Sequence, residues 1–81
     1  MKISTNNLFK SIKSALMLDE DVTLETSVDN TEEWDSLGHL SILSALDKNL
    51  KGKSSNIREL GEVKSVKEIT EILKSHNLLD D

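Results

Sequence analysis

The stretch Glu33-Trp34-Asp35-Ser36-Leu37-Gly38-His39-Leu40-Ser41-Ile42-Leu43-Ser44-Ala45-Leu46-Asp47-Lys48-Asn49-Leu50 decides how the chain folds. From Ser36 onward, Leu37, Leu40, Ile42, Leu43, Leu46 and Leu50 recur at helical spacing and form a wide apolar arc. Asp35 or Ser36 can cap the first turn, and Lys48 and Lys51 sit favourably near the C-terminal dipole. Gly52 then provides the stop, so a helix over 36–51 is predicted. On a helical wheel Ile42, Leu43, Leu46 and Leu50 cluster as the buried face. Leu37, Ser41, Ser44, Ala45 and Lys48 lie on the other side, with Leu40 between.

Upstream, Leu8, Ile12, Ala15 and Leu16, with Phe9 alongside, predict a helix over 4–18, with Ser4 or Thr5 as its N-cap. Downstream, Val66, Ile69, Ile72 and Leu73 share one face of a helix over 65–75, opened by a Ser65–Glu68 capping box. Residues 56–61 support a short helix before it. No segment alternates apolar and polar residues long enough to read as a strand. Residues 1–81 are therefore expected to form a single all-α domain. It is a small bundle of three main helices plus a short one before the last, with a long acidic loop between the first two.

Charge is unevenly placed along that frame. Residues 1–18 carry Lys2, Lys10 and Lys13 and no acid, whereas residues 19–35 carry eight acids and no base. Val22, Leu24, Val28 and Trp34 punctuate this acidic segment and are read as apolar anchors for a solvated loop. The net charge of −5 is the wrong sign for gripping nucleic-acid phosphates. The absence of cysteine excludes disulfides and thiolate metal sites. The longest apolar run, Ala15–Leu18, is far short of a membrane span. A soluble, acidic, cytoplasmic domain that neither binds nucleic acid nor inserts into membranes is expected.

Ser36 opens a leucine-rich helix directly after a loop, where backbone N–H groups and the helix dipole favour a negative group. In this order of elements, Asp35-Ser36-Leu37, flanked by Trp34 and Gly38-His39-Leu40, resembles the attachment motif of the acyl carrier protein family, peptidyl carriers included. The resemblance covers about Ser4 to Leu73. It implies that a phosphopantetheinyl transferase moves 4′-phosphopantetheine from coenzyme A onto Ser36. The arm's thiol then carries acyl or aminoacyl groups as thioesters between loading and transferring enzymes. By the same resemblance the protein is a monomeric carrier and not itself an enzyme. Asp35 and Leu37 flank the attachment point, and Leu37, Leu40, Ser41, Ser44, Asp47 and Lys48 are the docking surface. Fatty-acid carriers usually bear several acids on this helix, yet here Asp47 stands alone, with Gly38, Ser41 and Lys48 where acids are expected. Glu33 and Trp34 likewise replace the usual small pair before the motif. These departures imply a dedicated pathway.

Other readings come from the residues themselves. Ser36 and His39, preceded by Asp35, superficially make a nucleophile and base, but nothing in so small a chain supplies a cleft or oxyanion donors. His39 falls at the edge of the buried arc, and a structural place at the end of the last helix suffices for His76. An EF-hand frame from Asp19 fails, with Leu24 at the glycine position and Asn30 at the terminal glutamate position. A helical interaction module, in which Ser36 is only a cap, and a stand-alone peptidyl carrier both stay open.

Overall fold

The computed structural model describes residues 2–80. It is mostly helical, with β1 (Ile3–Ser4), α1 (Thr5–Leu16), α2 (Ser36–Asn49), two 3₁₀ turns (Lys53–Asn56 and Arg58–Glu62), α3 (Val66–Ser75) and β2 (Leu79–Asp80). The stripes expected from helical periodicity meet in one core. Leu8, Ile12 and Leu16 of α1 face Ile42 and Leu46 of α2, with Leu50 just beyond it and Val66, Ile69 and Leu73 of α3. Each such buried side chain contributes about 1.5–3 kcal/mol of hydrophobic stabilisation. Phe9, Ala15, Leu43 and Ile72 pack on the rim of this core.

The expected all-α class needs amendment. Ile3–Ser4 and Leu79–Asp80 pair as two parallel strands, with Ile3 beside Leu79 and Ser4 beside Asp80. A two-residue strand is too short to show a period of two, which is why no strand was legible. What holds the ribbon is burial of Ile3, Leu78 and Leu79 together with the Ile3 N–H bond to the Leu78 carbonyl at 2.9 Å.

Helix boundaries shift for local reasons. Ser4 caps α1 by accepting the Asn7 N–H at 3.1 Å. The helix stops at Leu16, two residues before the expected Leu18, because Met17 turns left-handed at φ 56° and the Leu18 N–H closes back on Lys13. The second helix ends at Asn49, before the expected residue 51. Lys51 and Gly52 then both take positive φ, and the Gly52 N–H returns to the Asp47 carbonyl. The short helix expected over 56–61 is instead two 3₁₀ turns that begin at Lys53. Ser54, Ile57, Leu60 and Val63 are buried at a spacing of three, which matches the three residues per turn of a 3₁₀ helix.

The capping box opens α3 as expected at Ser65, whose hydroxyl accepts the Glu68 N–H at 3.2 Å. Its reciprocal bond runs from the Lys64 N–H, one residue earlier, to the Glu68 carboxylate. Hydrogen bonds order the long loop. Thr23, Thr26 and Asn30 bond neighbouring backbone groups, and the Val28 N–H donates to Lys64 O while Val66 N–H donates to Thr26 O, both at 2.9 Å. Val22 and Trp34 are buried and Val28 is half-buried, but Leu24 is exposed and anchors nothing.

A left-handed residue other than glycine costs about 1–2 kcal/mol, and Met17 is 86% exposed, so its side chain contributes little packing in return. Met17→Gly is therefore expected to stabilise the fold by about 0.5–1 kcal/mol in urea denaturation, after allowing for glycine's greater unfolded entropy. A loss of stability would count against that account.

Candidate functional site

Asp35, not Ser36, is the N-cap of α2. Its Oδ1 accepts the Gly38 N–H at 2.8 Å and its carbonyl accepts the His39 N–H at 2.8 Å. Ser36 is thus the first helical residue, exposed, and its hydroxyl makes no hydrogen bond among the described residues. Of the two cap candidates, Asp35 supplies the capping oxygen.

Two contacts fix the approach to this turn. Gly38 admits the preceding loop: a Cβ there would overlap the Glu33 carbonyl oxygen and stand 2.9 Å from Leu16 Cδ2. Trp34, buried just ahead of the cap, donates its indole N–H to His39 Nδ1 at 3.1 Å, and the other ring nitrogen of His39 lies 3.0 Å from the Leu60 carbonyl. An indole nitrogen only donates and a carbonyl only accepts. His39 is therefore the neutral tautomer with its proton on Nε2. Both nitrogens are engaged, so neither serves Ser36 as a base.

Beside Ser36 runs a groove of about 770 Å³ between the start of α2 and the link into α3, lined by Val28, Ser36, Leu40, Gly61, Val63 and Lys64 among others. Its walls mix apolar side chains with one cation, Lys64, and the carboxylates of Asp35 and Glu62. Val28 was expected only as an anchor of the loop, and Gly61, Val63 and Lys64 carried no local sequence signal, because only the crossing of loop and α3 start brings them to Ser36.

The docking residues divide. Leu37 and Leu40 are 75% and 61% exposed. Ser41, Ser44 and Lys48 are exposed too and line a second groove, shared with Asn7, Lys10 and Ser14 of α1. Asp47 does not join them. It lies along the Ser36–Leu40–Leu43 face of α2, in a depression shared with Ser54 and Arg58, and its Oδ1 is buried and accepts no hydrogen bond among the described residues.

A Gly→Ala change inside an unobstructed helix gains up to about 1 kcal/mol, whereas forced overpacking costs about 1–3 kcal/mol. The sign is therefore diagnostic: Gly38→Ala is expected to destabilise, and a more stable variant would mean that the Glu33 carbonyl does not press on the helix. For His39, a double-mutant cycle of Trp34→Phe and His39→Leu in thermal unfolding is expected to give coupling of about 1 kcal/mol, since each single change leaves a buried partner unsatisfied. Additive effects would exclude the shared bond.

The chain was compared with protein-family models, curated proteins and solved structures, and no match was found in any of the three.

Proposed function

We propose that the protein is an acyl carrier whose Ser36 is the attachment point for 4′-phosphopantetheine, delivered from coenzyme A by a phosphopantetheinyl transferase. The observation that carries this reading is the exposed, unbonded Ser36 hydroxyl at the first residue of α2, on the lip of an open groove. A phosphodiester on that oxygen gains about 0.3–1 kcal/mol from the helix dipole, and Lys64 on the groove wall adds a positive charge. The groove's apolar residues Val28, Leu40 and Val63 suit the arm's hydrocarbon portions, while its polar rim suits the amides. Once attached, the arm supplies a thiol that carries an acyl or aminoacyl group as a thioester, which a cysteine-free chain cannot do alone.

The chain's own residues hold the attachment point still. Asp35 caps the turn, Gly38 seats the loop, and the Trp34–His39 bond ties that loop to the helix. Partner enzymes meet Leu37 and Leu40 beside the arm, then the hydroxyls of Ser41 and Ser44 and the charge of Lys48. Asp47 is the one acid of α2, and its Oδ1 is buried, which favours enzymes of a dedicated pathway over those that read acidic carriers. The working protein is a monomeric, cytoplasmic carrier and not an enzyme. No described helix is long and apolar enough to cross a membrane.

Incubation with coenzyme A and a broad-specificity transferase is expected to add one phosphopantetheine to the parent and none to Ser36→Ala, read by intact mass. Because the serine is not the cap, Ser36→Ala is expected to unfold within about 0.5 kcal/mol of the parent. Asp35→Ala loses about 1 kcal/mol. A folded parent that gains no mass with several transferases would favour the interaction module instead.

A further inference from the structure

Charge is segregated over the surface of this chain. The groove of about 770 Å³ between α1 and α2 is lined by Lys10 and Lys48 and by no acid, although the chain carries fifteen acids against ten bases. The acids lie elsewhere. Eight belong to residues 19–35, and Glu59, Glu62, Glu68 and Glu71 surround a separate hollow beside α3. Asp47 shares its depression with Arg58, and α1 contains no acid at all. Both groove lysines are exposed and neither forms an ion pair among the described residues, so their charge faces solvent.

The groove also has a direction. The two helices run antiparallel, because Asn49 Nδ2 donates to Ser11 Oγ at 3.0 Å near one end while Leu16 lies against Gly38 at the other. Steps of three and four put Lys10, Ser14 and Met17 in one row along α1 and its cap, and Leu37, Ser41, Ser44 and Lys48 in one row of α2. Met17 and Leu37, 86% and 75% exposed, mark the end beside Ser36, and the lysines lie toward the other. Between them the lining side chains are small: Ser14, Ser41 and Ser44, with Ala15 and Ala45. From Leu37 to Lys48 is about 16 Å along the axis, or about three turns.

We propose that this groove docks an acidic helix of a partner enzyme, its apolar residues against Met17 and Leu37 and its carboxylates against Lys10 and Lys48. The attribution to a partner enzyme rests on Ser36 carrying the arm. Helix axes approach as closely as the side chains between them allow, so small residues on both walls suit a third helix. Complementary charge steers encounter and rejects partners of the wrong sign, so two unpaired lysines without an acid select an acidic one. The docking surface implied by the family resemblance stays on α2, whereas here α1 supplies the second wall and the sign is reversed. A second copy of this chain fits less well, because its acidic stretch, residues 19–35, forms no helix to lay in the groove.

The test uses the full chain, before and after phosphopantetheine is added to Ser36 as read by intact mass. The two probes are an amphipathic helical peptide of leucine and glutamate and its counterpart with lysine for every glutamate. In NMR titrations the glutamate peptide is expected to shift the amides of Lys10, Ser14, Ser44 and Lys48 and to bind more weakly as salt rises. The lysine peptide is expected to leave them unmoved. Lys10→Glu with Lys48→Glu is expected to weaken the glutamate peptide about tenfold, and the milder Lys10→Gln with Lys48→Gln by less. Lys67→Glu with Lys74→Glu, the same change of net charge placed on α3, is expected to leave binding as in the parent. Equal binding of the two peptides, no binding of either, shifts outside the two rows, or an equal loss in the α3 control would overturn the proposal. So would dimerisation of the parent that Lys10→Glu abolishes, since a second copy then fills the groove. If folded protein gains no arm yet the glutamate peptide still binds between α1 and α2, the carrier reading falls and the acid-binding groove stands.

Discussion

The hydrogen bond from the Trp34 indole to His39 holds three parts of the molecule in one place. Trp34 ends the acidic loop, His39 belongs to the first turns of α2, and Leu60, which accepts the histidine's other nitrogen, lies in the second 3₁₀ turn. An indole buried without its acceptor is costly, so wherever the loop ends it must bring Trp34 to His39. That requirement places Asp35 at the cap and leaves Ser36 outward. The same bond ties the floor of the groove, near Gly61, to its lip. The rings also stack at 21° with centroids 6.3 Å apart, which restricts rotation of the imidazole.

The acidic loop is thus a built element. Its eight acids stay in water, while hydroxyl and amide side chains satisfy the backbone in place of a helix or sheet. Two backbone bonds to residues 64 and 66 lay it across the start of α3. The exposed Lys13–Asp21 pair adds little, since solvent-facing ion pairs are worth no more than about 1 kcal/mol. Order in this segment comes from Val22, Val28, Trp34 and short-range hydrogen bonds.

Much of this was legible in the sequence where the signal is local. The apolar stripes of all three helices, the cap at Ser65 and the exposure of Leu37 follow from periodicity and side-chain chemistry alone. Leu24 shows the limit of that logic: an apolar residue in a loop is buried only if the loop's path turns it inward, and no local pattern encodes the path. The end of α1 was missed because a methionine took the left-handed turn that glycine usually signals. The place of Asp47 was missed for a different reason, since a helical wheel ranks residues by hydrophobicity and cannot see that the 3₁₀ turns fold over one flank of α2. At the site, Asp35 and Ser36 were both candidates for the cap, and only the geometry separates the residue that caps from the one left outward.

The pairing of Ile3 with Leu79 has a consequence for how the chain is made. These partners stand far apart in sequence, so this contact closes a long loop among the described residues. Helix α1 is complete early in synthesis, yet Ile3 keeps an unsheltered apolar side chain until residues 78–79 leave the ribosome. Residues 78–79 therefore seal the core, and a nascent chain stalled just short of them exposes apolar surface that chaperones recognise.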